Sequence, residues 1–308
     1  RDEKKSRFSI NKKHECYVLN DRYVLTNLLG RGGFSEVHRG YDLYEHKYIA
    51  AKIHQLNIHW SDERKKNYTK HATREYDIHK SLNHRNIVSL YDVFGIDVNS
   101  FCTVLEYCDG MDLDMYLKIH KVLSEREARS LIIQVFIGLK YLHNQDNPGP
   151  IIHYDLKPGN LLYKNGLIKL TDFGLAKIMN NDTDSIELTS QGAGTYWYLP
   201  PECFRTPSMN NTGGPIMISP KVDIWSCGVI FFQMLYGKRP FGDNMSQDSI
   251  LNNKTILNAR HVTFPSHPKS ISKQAKDFIS SCCAYEPSLR LSSNQIVDNH
   301  PYFGYLRK

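Results

Sequence analysis

The sequence predicts an α+β protein of two unequal lobes, a small β-rich one followed by a larger, mainly helical one. Three observations predict it. Short apolar runs separated by turn residues crowd the first third of the chain. After Gly110, apolar residues recur at helical spacing instead. The 308 residues are enough to bury two separate cores. The lobes are placed at 17–108 and 109–308, after a charged, basic arm at 1–16. A cleft between two such lobes is the natural place for a ligand.

The elements follow in order. YVLTNLL (23–29) reads as a strand, then a run of glycines, then SEVHRGYDL (35–43) and YIAAKIH (48–54) as further strands. Residues 61–82 are charged with scattered apolar positions and suit a helix. IVSLYDVFG (87–95) and FCTVLEYC (101–108) return to strand. Beyond Gly110, SEREARSLIIQVFIGLKYLH (124–143) has helical periodicity, with Ser124 and Glu127 as a capping box. LIKLTDFGLAKI (167–178) opens as a strand that ends just before Asp172. VDIWSCGVIFFQMLYG (222–237) is a second apolar helix, preceded by Ser219-Pro220 and stopped by Gly237. Helices at 246–258 and 271–283 complete the lobe, and RTPSMNNTGGPIM (205–217) is a turn-rich insertion.

Composition narrows the function. The formal charge of +7 favours acidic partners. Lys and Arg are spread along the chain without finger spacing, an RNP-like pair or an aromatic platform among basic strands, so no direct nucleic-acid site is expected. Seven cysteines, an odd number with no C-x-x-C, point to reduced thiols in the cytosol or nucleus. LIIQVFIGL (131–139) is too short to span a bilayer, and no signal-peptide pattern is present, so no membrane role is expected. The first residue is Arg1, not Met, and the chain is expected to be part of a longer protein.

Four constellations carry chemistry. In GRGGFSEV (30–37), Gly30 and Gly32 allow backbone amides close to anionic oxygens, although a glycine-rich hairpin explains the stretch equally well when it is taken alone. A strand follows it, which argues against a dinucleotide fingerprint. In AAKI (50–53), Lys52 is either a solvated strand residue or a point charge for phosphates. The second role needs a carboxylate, and Glu75 is preferred to Glu63 because Ile78 and Leu82 share its side of the helix. HYDLKPGN (153–160) offers Asp155 to accept a hydroxyl proton, Lys157 to neutralise developing charge, and Asn160 as an oxygen ligand for a hard cation. Asp172, followed by Phe173 and Gly174, supplies a second such ligand. Glu202 and Arg290 suit a buried ion pair. Asp223 suits either a helix-start charge or an acceptor for backbone amides of the 153–155 turn.

In this order the motifs resemble the eukaryotic protein kinase signature over about residues 23–303. The resemblance implies a bilobal kinase fold that uses ATP and Mg²⁺. It puts the nucleotide against Leu29, Gly30, Arg31, Gly32, Gly33, Phe34, Ser35, Val37, Ala50, Lys52, Leu105, Glu106, Cys108, Asp112, Leu162 and Asp172. It makes Leu105 the gatekeeper, Glu106 to Cys108 the hinge, Glu75 the partner of Lys52, Asp155 the catalytic aspartate, and Asn160 and Asp172 the metal ligands. Lys157 is the mark of serine/threonine kinases. More narrowly, LLGRGGFSEVHRGYD, FCTVLEYCDGMDLD, HYDLKPGN and TSQGAGTYWYLPPECF resemble Tousled-like kinases. That implies a nuclear enzyme acting on histone chaperones of the anti-silencing family, in chromatin assembly linked to DNA replication and repair, and dimerising through a coiled coil outside this chain.

Two departures stand out. Tyr154 occupies the position of the arginine that usually precedes the catalytic aspartate, and it lacks the bidentate charge that grips a phosphate. The segment 172–202, with Thr183, Ser185, Thr189, Ser190 and Thr195, is therefore expected not to depend on one docked phosphothreonine. Ser35 replaces the third loop glycine, which is expected to be tolerated. The rival class is a pseudokinase, a binding module of the same fold. Against it, Lys52, Glu75, Asp155, Asn160 and Asp172 are all present.

Overall fold

A computed structural model describes residues 17–307 apart from 33, 58, 147–148, 190–191, 210–212 and 269, so the basic arm and two of the singled-out residues, Gly33 and Ser190, lie outside the description. The chain divides into two units. One runs to Asn83 and resumes at Val88–Asp109; the other comprises His84–Ile87 and Gly110–Lys308.

The first unit is built on β1 (Tyr17–Leu19), β2 (Tyr23–Arg31), β3 (Ser35–Asp42), β4 (Lys47–Gln55), β5 (Leu90–Asp97) and β6 (Ser100–Glu106). These form one antiparallel sheet in the order β1-β2-β3-β4-β6-β5. Alternation along β4 explains its two faces. Ile49 and Ala51 enter a core with Leu19, Tyr23, Leu25, Cys102 and Val104. Ala50 and Lys52 occupy the other face, where Val37 and Thr103 lie directly across from Lys52, and Leu105 across from Ala50. Helix α1 (Asp62–His79) is capped by Ser61 and buries Ile78. It is shorter than the expected 61–82: after Lys80 the backbone tightens into turns in which the Ser81 and Leu82 amides donate to the carbonyls of Ile78 and His79. Arg22 grips the buried Asp42 with two nitrogens, at 2.8 and 2.7 Å. Asp42 also accepts the amides of Tyr44 and Glu45, which ties down the β3–β4 turn.

The second unit opens with β7 (Met111–Asp112) and α2 (Leu113–His120). This helix has no counterpart in the sequence expectations, since eight residues are too few for a periodicity to show. Next come α3 (Glu125–His143), β8 (Ile151–Ile152), β9 (Leu161–Lys164), β10 (Leu167–Leu170), β11 (Lys177–Ile178), β12 (Ile186–Glu187) and β13 (Met217–Ile218). The unit closes with α4 (Lys221–Tyr236), α5 (Gln247–Asn252) and α6 (Lys273–Cys282). The strands make small antiparallel sheets, β10-β9-β7, β11-β8 and β12-β13.

Half of the expected capping box forms at α3. Ser124 accepts the Glu127 amide, while the Glu127 carboxylate accepts the Tyr116 hydroxyl instead, at 2.7 Å. In α4 every residue except Lys221 and Gln233 is buried, as suits a helix that is apolar all round. Its stop is Gly237 at φ 68°. The Cβ that an alanine would add at Gly228 meets Cys282 and Cys283 at 2.7 Å, so α4 and α6 touch almost backbone to backbone there. Helix α5 ends at Asn252, short of the expected 258, and Lys254 turns left-handed at φ 53°. The insertion at 205–217 is more than turns: it returns Ile216 and Ile218 to the core and pairs Met217–Ile218 with β12. Among the described residues no helix is long and apolar enough to cross a membrane.

Candidate active site

In the first unit, β4 and α1 bring Lys52 and Glu75 together, with Nζ and Oε1 3.5 Å apart and both side chains largely buried. Glu63 sits exposed in the first turn of the same helix. The glycine run joins β2 to β3: Gly30 lies across from Val37, and the Gly32 amide donates to the Ser35 carbonyl at 2.7 Å. A Cβ built on Gly30 meets nothing within 4 Å, so internal packing does not demand a glycine there. Leu29 and Arg31 are exposed, and Arg31 pairs with Glu36 at 3.1 Å. Phe34 packs edge-on against Trp60, with ring centroids 4.6 Å apart. On β6, the Glu106 amide donates to the Ser89 carbonyl, and its carboxylate accepts the Ser89 amide. Cys108 is half-buried.

The second unit holds the other group. Asp155 is the hub: Lys157 Nζ reaches Oδ2 at 2.7 Å, the Thr195 hydroxyl donates to Oδ1 at 2.9 Å, and Asn160 Nδ2 donates to the Asp155 carbonyl at 2.8 Å. Lys157 also donates to Thr195, at 3.2 Å, which closes a triangle. In the sequence Thr195 is one of several hydroxyls that suit modification, and nothing local distinguishes it from the others of its segment. Asp112 Oδ1 accepts the Met115 amide and so caps α2, while Leu162 lies across from Asp112 in the β7–β9 ladder.

The loop is held from beneath. Both oxygens of the fully buried Asp223 accept backbone amides, from His153 and Tyr154, each at 2.9 Å. His143 supports the same carboxylate at 3.0 Å. Tyr154 stands at φ 69° and Asp172 at φ 64°, left-handed conformations that cost a side-chain-bearing residue about 1–3 kcal/mol each. Such strain persists only where the surroundings enforce it, and Asp223 does so at Tyr154. Phe173 is buried against the His153 ring at 5.0 Å. Farther off, Arg290 meets Glu202 through two buried contacts of 2.6 and 2.9 Å, and it also donates to the carbonyls of Lys221, Ala284 and Tyr285.

Tyr154 lies in an apolar cluster with Ile152, Met179, Leu188, Leu199, Cys203, Ile216 and Ile218. Burial raises its phenol above the usual range, and the Cys203 thiol adds to the shift. Lys177 Nζ stands 5.0 Å from the ring centroid.

The protein kinase domain family matches residues 23–303. Over 299 residues the chain is 57% identical to the serine/threonine-protein kinase tousled-like 2 of Mus musculus, covering 94% of this chain and 40% of that protein. It is 58% identical to tousled-like 1 of Homo sapiens over 92% of this chain and 37% of that protein. It is 52% identical to TOUSLED of Arabidopsis thaliana over 100% of this chain and 43% of that protein. The chain thus spans about two fifths of the length of the curated relatives it matches. A triangle of carboxylate, ammonium and hydroxyl in one unit, an ion-paired strand lysine in the other, and a family match covering both together place this chain in the protein kinase family, as a serine/threonine kinase domain similar to those of tousled-like kinases.

Proposed function

We propose that this chain transfers the γ-phosphoryl group of ATP to serine and threonine hydroxyls of proteins. The observation that carries the reading is the Asp155–Lys157–Thr195 triangle. One Asp155 oxygen takes the proton of the acceptor hydroxyl as the hydroxyl's own oxygen bonds to the γ-phosphorus and the bond from the γ-phosphorus to the bridging β-phosphate oxygen breaks. Lys157 offsets charge on the moving group. Thr195, donating to Oδ1, and Asn160 Nδ2, 3.2 Å from Oδ2, keep the carboxylate in one orientation, so little is lost to reorganisation.

The first unit's part is to hold nucleotide. The open space beside Gly30 suits close approach of phosphate oxygens to backbone amides, and Lys52, aimed by Glu75, adds a charge. Val37, Ala50 and Leu105 would lie against the base, next to the 106–108 hinge; Leu29, Arg31, Phe34 and Ser35 would flank the loop. Gly33 keeps its place in the proposal although it lies outside the described residues. Asp112 would meet the ribose and Leu162 the base. Asn160 and Asp172 are hard oxygen donors of the kind Mg²⁺ takes, and the commitment of Asn160 Nδ2 to the Asp155 carbonyl leaves its Oδ1 as the ligand atom. When bound, the metal would neutralise phosphate charge.

Similarity to tousled-like kinases extends the proposal to the whole protein. It would act in the nucleus on histone chaperones of the anti-silencing family, in chromatin assembly, and would dimerise through a coiled coil. The formal charge of +7 agrees with acidic substrates. Phosphosite mapping on a chromatin-protein mixture should find those chaperones enriched. For the chemistry, Asp155→Asn is expected to lower Mg²⁺-dependent phosphate incorporation from ATP by about 10²–10⁴-fold with the fold intact. Equal incorporation by both forms would remove Asp155 from the reaction.

A further inference from the structure

The second unit carries a shallow basic groove that phosphoryl transfer leaves unused. Arg205, just past the turn that holds Glu202, lines it with Lys254, Arg260, Tyr285 and Glu286. Its volume is about 350 Å³. Arg205 shares Glu286 at 3.5 Å, in a contact open to water. Lys254 and Arg260 are exposed, and neither has an ion-pair partner among the described residues. Three cations therefore face a single carboxylate. Solvated surface lysines and arginines usually sit among acids; here the excess is concentrated in a concavity.

The cations are also arranged. The Arg260 guanidinium lies 3.9 Å from the Tyr285 ring centroid and that of Arg205 lies 5.6 Å away. The ring itself is anchored, because its hydroxyl donates to the Leu257 carbonyl at 2.9 Å. An aromatic seat holds a planar guanidinium without using its N–H edge, which stays available to a carboxylate. Met209, about half exposed, gives the groove an apolar margin.

This chemistry discriminates between polyanions. The contacts of Tyr285 with two guanidiniums leave it poorly placed to stack on a base, and Glu286 repels a continuous phosphate backbone. Carboxylates on separate side chains can reach Arg260 and Lys254 and pass Glu286 by. We propose that the groove docks an acidic, Asp- and Glu-rich segment of a protein substrate, apart from the residues that handle the phosphoryl group. The proposal rests on the kinase reading only in calling that segment part of a substrate, because docking itself is read without nucleotide.

The test is fluorescence anisotropy of a short fluorescein-labelled peptide of Asp, Glu and Leu. Salt-sensitive binding is expected, weakened about tenfold by Lys254→Glu with Arg260→Glu. The neutral pair Lys254→Gln with Arg260→Gln should fall between, and it carries the test if the reversed pair does not fold. No binding by the unaltered chain overturns the proposal, as does equal binding by a folded reversed variant. Tighter binding of a single-stranded oligonucleotide through the same residues overturns it too. In parallel, a serine peptide should show a lower KM when an acidic tail is added, in the unaltered chain only, with kcat on the untailed peptide the same in both. Intact docking with no phosphorylation at all would instead sink the phosphoryl-transfer reading.

Discussion

At the scale of single residues, charge placement decides most outcomes. Asp42 shows the sign. Its hydrogen bonds with Arg22 outweigh burial and hold its carboxyl down at about 2, so the folded chain binds this proton less readily than the unfolded one. Its stabilising contribution is complete above about pH 4 and is lost as pH falls toward 2. Arg22→Met is expected to cost about 1–2 kcal/mol near neutrality and progressively less in acid, as read from urea midpoints across pH. An equal cost at every pH would show that Arg22 acts through packing alone. Local spacing carried part of the candidate site's geometry: helical spacing puts Glu75, not Glu63, beside buried Ile78, and Glu75 stands 3.5 Å from Lys52. Lys52, Asp155, Asn160 and Asp172 stand in short motifs that mark them as candidates. Thr195 was not legible as a partner of Asp155. Forty positions separate the two, and only the folded path of the intervening segment closes that gap.

Among elements, the segment after Asp172 is the informative one. It is held by the β12–β13 pairing and by the apolar cluster in which Tyr154 packs with Leu188, Ile216 and Ile218. Alanine at Thr183, Ser185, Thr189 and Ser190 together is expected to keep phosphorylation of a test protein within about threefold, whereas Leu188→Asp should abolish it by burying a charge in the cluster. Loss of activity in the alanine form, restored by acidic residues, would show that a docked phosphate is needed after all. The long helices α3 and α4 were legible because periodicity runs over many turns and Gly237 marks a stop. The short α2 and the strand of the insertion were not, since eight and two residues respectively carry too little pattern, and tertiary pairing made them.

For the molecule as a whole, the change of pattern near Gly110 stands next to where the chain passes into the second unit. His84–Ile87 belongs to that unit too, tied there by Asn86, whose amide donates to the Ile168 carbonyl at 2.9 Å and whose carbonyl accepts the Leu170 amide, a return that no local pattern marks. With a helix as thoroughly enclosed as α4 at its centre, the second unit should set the slowest hydrogen exchange. Amides of α4 are expected to exchange last in a mass-spectrometric time course, and those of α1 much earlier. Reversal of that order would mean the sheet unit is the more resistant one. The buried Glu202–Arg290 pair has a reach beyond its own surroundings. Arg205 follows Glu202 closely in the chain, and Tyr285 receives a hydrogen bond from Arg290 through its own carbonyl. The hidden pair is thus a tie rod between the two banks of the basic groove, joined to one through the Arg205 amide on the Glu202 carbonyl and to the other through the Tyr285 carbonyl, and loosening it would change the spacing of Arg205 and Arg260.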